Sequence, residues 1–222
     1  MKNLYIITCL LLLNLQHTLA QNTPLLMENT RLTISKMEVN YNSESAYLMP
    51  TWEIGKVIFG NGTSMNATIN YNALNERLEY QENSQFLTFT QPVNSFILGD
   101  TSLAKGYFFE SGFGQIDKQN EYSFYQILYQ STNLKVLKHI RVASKEEKKF
   151  NDATTKVNFI PIKNYYISNL NKELTQIRKT EKSILSIFPD KAEELKSYIK
   201  DNKIKLRKWA DAIDLIEFAD TL

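Results

Sequence analysis

The chain has 222 residues, 43% of them hydrophobic, with a formal net charge of +2. That is enough apolar material for the core of one domain, or of one domain with an appendage. A charge so near zero argues against a nucleic-acid partner.

Residues 1–20 read as a secretory signal peptide. Met1-Lys2-Asn3 is a short basic start, Leu4 to Leu15 is an apolar run, and Thr18-Leu19-Ala20 offers small residues where a signal peptidase reads, so cleavage is expected between Ala20 and Gln21. The apolar run is too short to span a bilayer comfortably. No later run is long enough, so the mature chain is expected to have no transmembrane segment and to be exported, to the periplasm or beyond. Cys9 lies inside the apolar run, so no lipidation site exists at the cleavage point. The only cysteine therefore leaves with the signal peptide, and disulfide, thiol and thiolate-metal chemistry leave with it. His17 is also removed, which makes His139 the single histidine of the mature chain.

Gln21 to Arg31 reads as a leader, and weak alternation over Leu32–Ile34 and Lys36–Tyr41 suggests a first strand. After Pro50 the signals become regular. Trp52–Phe59 is a strand with Trp52, Ile54 and Ile58 on one face and Gly55, Val57 and Phe59 on the other. Both faces are largely apolar, so cover on both sides is expected. Gly60-Asn61-Gly62 is a hairpin turn. Ala67–Tyr71 alternates as a half-buried strand, Arg77–Gln81 follows, and Phe86–Phe89 completes an antiparallel meander with a turn about every ten residues. Short strands are expected at Ser95–Leu98 and Tyr107–Glu110, then a hairpin of Tyr122–Gln130 and Leu134–Val142 around Ser131-Thr132-Asn133. Ala143–Lys156 is polar and charged and reads as a linker. Val157–Ile162 and Asn164–Ile167 resume the strand pattern.

Beyond residue 167 the period becomes helical. Ile184, Leu185, Ile187 and Phe188 form a stripe that Pro189 stops. Asp190 with Glu193 has the spacing of an N-cap and its partner. Ala192, Leu195, Tyr198 and Ile199 share the next stripe, and Trp209, Ala212, Ile213 and Ile216 repeat at helical spacing. The expected fold is mainly β within the α+β class: an antiparallel curved sheet or half-barrel over residues 21–167, with a small helical unit over 168–222 packed on or beside it.

The inventory for chemistry is thin. His139 shares a strand face with Lys135, Leu137 and Arg141, which reads as polar and exposed. Neither a G-x-S-x-G elbow nor a calcium loop is present. Asp211, Asp214, Glu217 and Asp220 recur every third residue, a spacing that drifts around a helix and spreads them over a broad polar face. Lys200, Lys203, Lys205, Arg207 and Lys208 precede them, against the sense of the helix dipole, which leaves room for an electrostatic contact with a partner. No residue is assigned as catalytic, metal-binding or cofactor-binding.

Tyr47-Leu48, Trp52-x-x-Gly55-x-Val57, Asn70-Tyr71-Asn72 and Leu78-Glu79, with Ile187-Phe188-Pro189-Asp190-Lys191, Tyr198-Ile199-Lys200 and Asn202-Lys203 near the end, resemble uncharacterised exported β-rich proteins of Bacteroidota. The chain departs from that pattern at Ser45-Ala46, where a Gly- or Pro-containing turn is expected. The resemblance implies a Gram-negative exported protein and brings no established activity. The leading expectation is a non-enzymatic binding or structural protein of the cell envelope whose partner is an envelope protein or an apolar ligand. One alternative is a carrier holding an apolar ligand between sheet and helices. The other is a hydrolase, which would require a buried serine, His139 and an acid in contact.

Overall fold

The computed structural model describes residues 45–102, 105–148 and 155–222. The expected signal peptide, its expected cleavage point between Ala20 and Gln21, and the strand expected within 32–41 lie outside the described residues.

Ten strands form one antiparallel sheet that is curved but not closed: β1 (Glu53–Phe59), β2 (Ser64–Asn72), β3 (Arg77–Glu82), β4 (Gln85–Thr88), β5 (Val93–Leu98), β6 (Tyr107–Glu110), β7 (Tyr125–Gln130), β8 (Lys135–Lys148), β9 (Thr155–Ser168) and β10 (Leu174–Ile177). Their order is β10-β9-β8-β7-β6-β5-β1-β2-β3-β4. The first four make a meander. β5 then returns to the open side of β1, and the rest add outward from there. Both edge strands, β4 and β10, are four residues long, which limits pairing with another chain. Helices α1 (Glu181–Leu185), α2 (Ala192–Asp201) and α3 (Trp209–Thr221) follow.

Alternation sorts the strand residues onto two faces. The concave face carries two apolar clusters. One joins Val57 and Phe59 of β1, Ile69 and Tyr71 of β2, Leu78 of β3, Phe96 and Leu98 of β5 and Phe109 of β6 with Ile140 and Val142 of β8. Phe96 and Phe109 stack at 4.7 Å between ring centroids at its centre. The other seats the helices: Leu128, Val136, Tyr165 and Ile167 pack against Ile184, Leu195, Ile213 and Ile216. Each such fully buried side chain contributes about 1.5–3 kcal/mol. Tyr165 stacks on Trp209, and the Tyr129 hydroxyl donates to Asp220 at 2.9 Å, fixing α3 to the sheet. On the convex face Ile97, Phe108, Tyr125, Ile127, Leu137 and Tyr166 are covered by Phe113 and Ile116 from the connection before β7.

Several expectations need correction. Ala143–Lys156 is not a linker in its described part: β8 runs on to Lys148 and β9 begins at Thr155, paired in register from Lys135↔Ser168 to Lys148↔Thr155. Polar composition misleads there because a two-stranded ribbon projecting past its neighbours has water on most sides. The sheet also extends beyond residue 167, since β10 pairs with β9. Asp190 lies inside a 3-10 turn, Pro189–Lys191, and does not cap α2; Lys191 is the N-cap and makes no side-chain capping bond. Nor do the described residues cover β1 on both sides: Ile54 is 65% exposed.

Candidate functional site

Two places combine polar chemistry or exposed apolar surface in a way the packing alone does not require. The first is a seam. β7 begins at Tyr125, opposite His139, so β8 has no β7 partner beyond that point. The sheet coils far enough for the β2–β3 turn to arrive there instead, and the Val142 N–H donates to the Ala73 carbonyl at 2.9 Å. From the same turn Glu76, whose φ is +52°, reaches His139. Its Oε2 lies 3.1 Å from His139 Nε2. A carboxylate only accepts, so Nε2 carries the hydrogen and Nδ1 faces the interior. His139 is fully buried, contrary to the polar exposed face expected from Lys135 and Arg141. The Tyr125 ring packs on the imidazole at 5.3 Å, and Tyr166 stands edge-on to Tyr125 at 5.7 Å.

The electrostatics follow from this burial. The hydrogen bond from His139 holds the Glu76 carboxyl below its usual range; burial opposes this, while the charges of His139 and Arg141 assist it. Burial pushes the hydroxyls of Tyr71 and Tyr125 well above the ordinary phenol value, with Glu76 adding to both shifts. Both stay neutral donors throughout the physiological range. Among the described residues, the hydroxyls of Tyr71 and Tyr125 and the Nδ1 of His139 are buried without a hydrogen-bond partner. The imidazole is oriented by an acid, as a general base would be, but its surroundings are aromatic rings.

A neighbouring polar clasp gathers Tyr47, Asn70, Asn72 and Glu79. The Asn70 side chain accepts from Met49 N–H and donates to the Met49 carbonyl, tying the chain before β1 against β2. Asn72 Oδ1 accepts from the backbone of Leu74 and Asn75 and shapes the turn that presents Glu76. The buried Glu79 carboxylate accepts from the Tyr47 hydroxyl at 2.7 Å, Asn72 Nδ2 at 3.1 Å and Arg77 Nε at 2.7 Å. Three donors offset the cost of burying that charge. Burial, reinforced by Glu79, raises the Tyr47 phenol to about 12.

The second place is the convex face of β1–β4. Trp52 stacks on Phe86 at 4.7 Å with 14° between the rings, and Tyr47 leans on Trp52 at 5.1 Å. Phe86 is 56% exposed, and Ile54 shares its face. Trp52 is therefore only half-buried.

The acidic run does not act as one face. Asp211 accepts from the Arg207 and Lys208 N–H groups at the start of α3, and Asp220 receives Tyr129 and Asn133. Among the described residues no group of three or more His, Cys, Asp or Glu is placed to hold a metal ion. No described helix is long and apolar enough to cross a membrane. The seam escaped sequence reasoning because Glu76 and His139 meet only through the coiling of the sheet.

No protein-family model, no curated protein and no solved structure matches the chain.

Proposed function

We propose that the chain is an exported, non-enzymatic binding protein of the cell envelope, and that it takes a protein partner on the convex face of β1–β4. The observation that carries this reading is the contrast along that face. Around β5–β8 it is capped by Phe113 and Ile116, whereas around β1–β4 Phe86 and Ile54 stand exposed beside the Trp52 stack. Rigid aromatic anchors flanked by aliphatic surface suit a protein interface.

A carrier is supported less well, because the space between sheet and helices is filled by Leu128, Val136, Tyr165, Ile213 and Ile216. A hydrolase is also supported less well. His139 has its acid in Glu76, but the side chain packed against the imidazole is the Tyr125 ring and not a serine.

The test is capture from an envelope extract on immobilised mature protein. Phe86→Ser with Ile54→Ser should abolish capture of a partner that the wild type retains. Leu170→Ser, which alters an exposed leucine elsewhere, should retain it. Undiminished capture by a folded Phe86→Ser/Ile54→Ser double variant would sink the proposal.

A further inference from the structure

We propose that the stretch between α2 and α3 is a docking surface for anionic phospholipid headgroups. It is separate from the aromatic face and does not depend on it. Residues 203–207 alternate strictly. Ile204 and Leu206 turn inward and pack on the helical core, while Lys203, Lys205 and Arg207 are left exposed. With that pair turned to the core, the three cations stay on the solvent side of the stretch. Lys200 lies in the last turn of α2, and the Ile204 N–H bonds the Ile199 carbonyl, holding the stretch against that helix. Lys179 joins from the loop before α1, its Nζ donating to the Arg207 carbonyl at 2.5 Å.

Asp201 and Asp211 keep their charge, but their hydrogen-bond partners are neutral groups and not these cations. Asp201 accepts from Ser197, and Asp211 accepts from two backbone N–H groups. Among the described residues none of the side chains of Lys200, Lys203, Lys205 and Arg207 is in an ion pair, whereas Lys196 is taken by Glu193. The result is a concentrated positive strip on a chain whose net charge is only +2.

The partner is chosen by what accompanies the charge. Single-stranded nucleic acid needs free aromatic faces to stack on. The ring adjoining the strip, Trp209, is already stacked on Tyr165 at 3.5 Å. Lipid headgroups need no such platform. Each cation near an anionic surface adds its own increment without a fixed geometry, and flexible exposed lysines suit that array.

The experiment is co-sedimentation of the mature protein with vesicles. Binding to mixed phosphatidylglycerol–phosphatidylcholine vesicles should exceed binding to pure phosphatidylcholine by about tenfold or more, and should fall away in about 0.5 M salt. Lys203→Glu with Lys205→Glu should reduce it about tenfold or more at unchanged melting temperature. If that pair does not fold, Lys205→Ser alone should still weaken binding measurably. Equal binding to both vesicle types, or undiminished binding by a folded variant, would overturn the proposal. So would a preference for single-stranded DNA over the anionic vesicles.

Discussion

His139 Nε2 and Glu76 Oε2 lie 3.1 Å apart although 63 residues separate them in sequence. Their contact, with the Val142-to-Ala73 backbone bond beside it, holds the β2–β3 turn against the unpaired flank of β8. His139→Ala should therefore cost about 2–4 kcal/mol, combining a cavity beside Tyr125 with a lost hydrogen bond to a charged group. Urea melts measure the loss, and amide exchange at Val142 should quicken in the same variant. A loss below about 1 kcal/mol with unchanged exchange would mean that the seam does not rest on this pair.

The same contact gives stability a defined pH dependence. The carboxyl of Glu76 is held below its ordinary value of 4.5 in the folded protein, chiefly by the hydrogen bond from His139. A depressed folded value means that the unfolded chain binds the proton more readily. The contribution is thus fully present above about 4.5 and is lost as the pH falls through the lower folded value. Glu76→Gln should remove this part of the acid slope. Melting the wild type and Glu76→Gln side by side from neutral to acid pH checks it; parallel slopes would count against the assignment.

Much of the sheet was legible because alternation is a local signal. Gly55, Val57 and Phe59, like Ile69 and Tyr71, face inward as their spacing predicts. The return of β5 to β1 was not legible, because nothing local in Val93–Leu98 distinguishes β1 from β4 as its partner. His139 was misread for a related reason. Its strand neighbours Lys135 and Arg141 announce a polar face, whereas its burial comes from a turn far away in sequence. Ile54 fails in the opposite sense. Apolar alternation marks a face suited to burial and does not supply the element that would cover it.

Trp52 tests the openness of that face. An aromatic buried on all sides costs about 3–5 kcal/mol when cut to alanine. Trp52 is half-buried, between Tyr47 and the exposed Phe86. Trp52→Ala should therefore cost about 1–2 kcal/mol, the sum of partial burial and ring stacking. Chemical denaturation separates the two ranges. A loss near the upper one would indicate that another part of the protein covers the stack.

Gly55 tests the centre of the sheet. It lies on β1 between β2 and β5, with its inward side toward Ile69. A Cβ placed there would collide with the Ile97 carbonyl oxygen and the Ile69 side chain. The side chain can turn aside, but the carbonyl belongs to a neighbouring strand of the ladder and cannot move without disturbing its pairing. Gly55→Ala would ordinarily gain about 0.4–1 kcal/mol by restricting the unfolded chain. Overpacking should outweigh that and leave a net loss of about 1–3 kcal/mol. Gly60 is the internal control. The nearest atom to its added Cβ is the Pro92 carbonyl oxygen at 3.7 Å, an ordinary contact. Gly60→Ala should stay within about 0.5 kcal/mol of the wild type. If both substitutions prove equally mild in urea, β1 is not clamped between β2 and β5 as closely as this geometry requires.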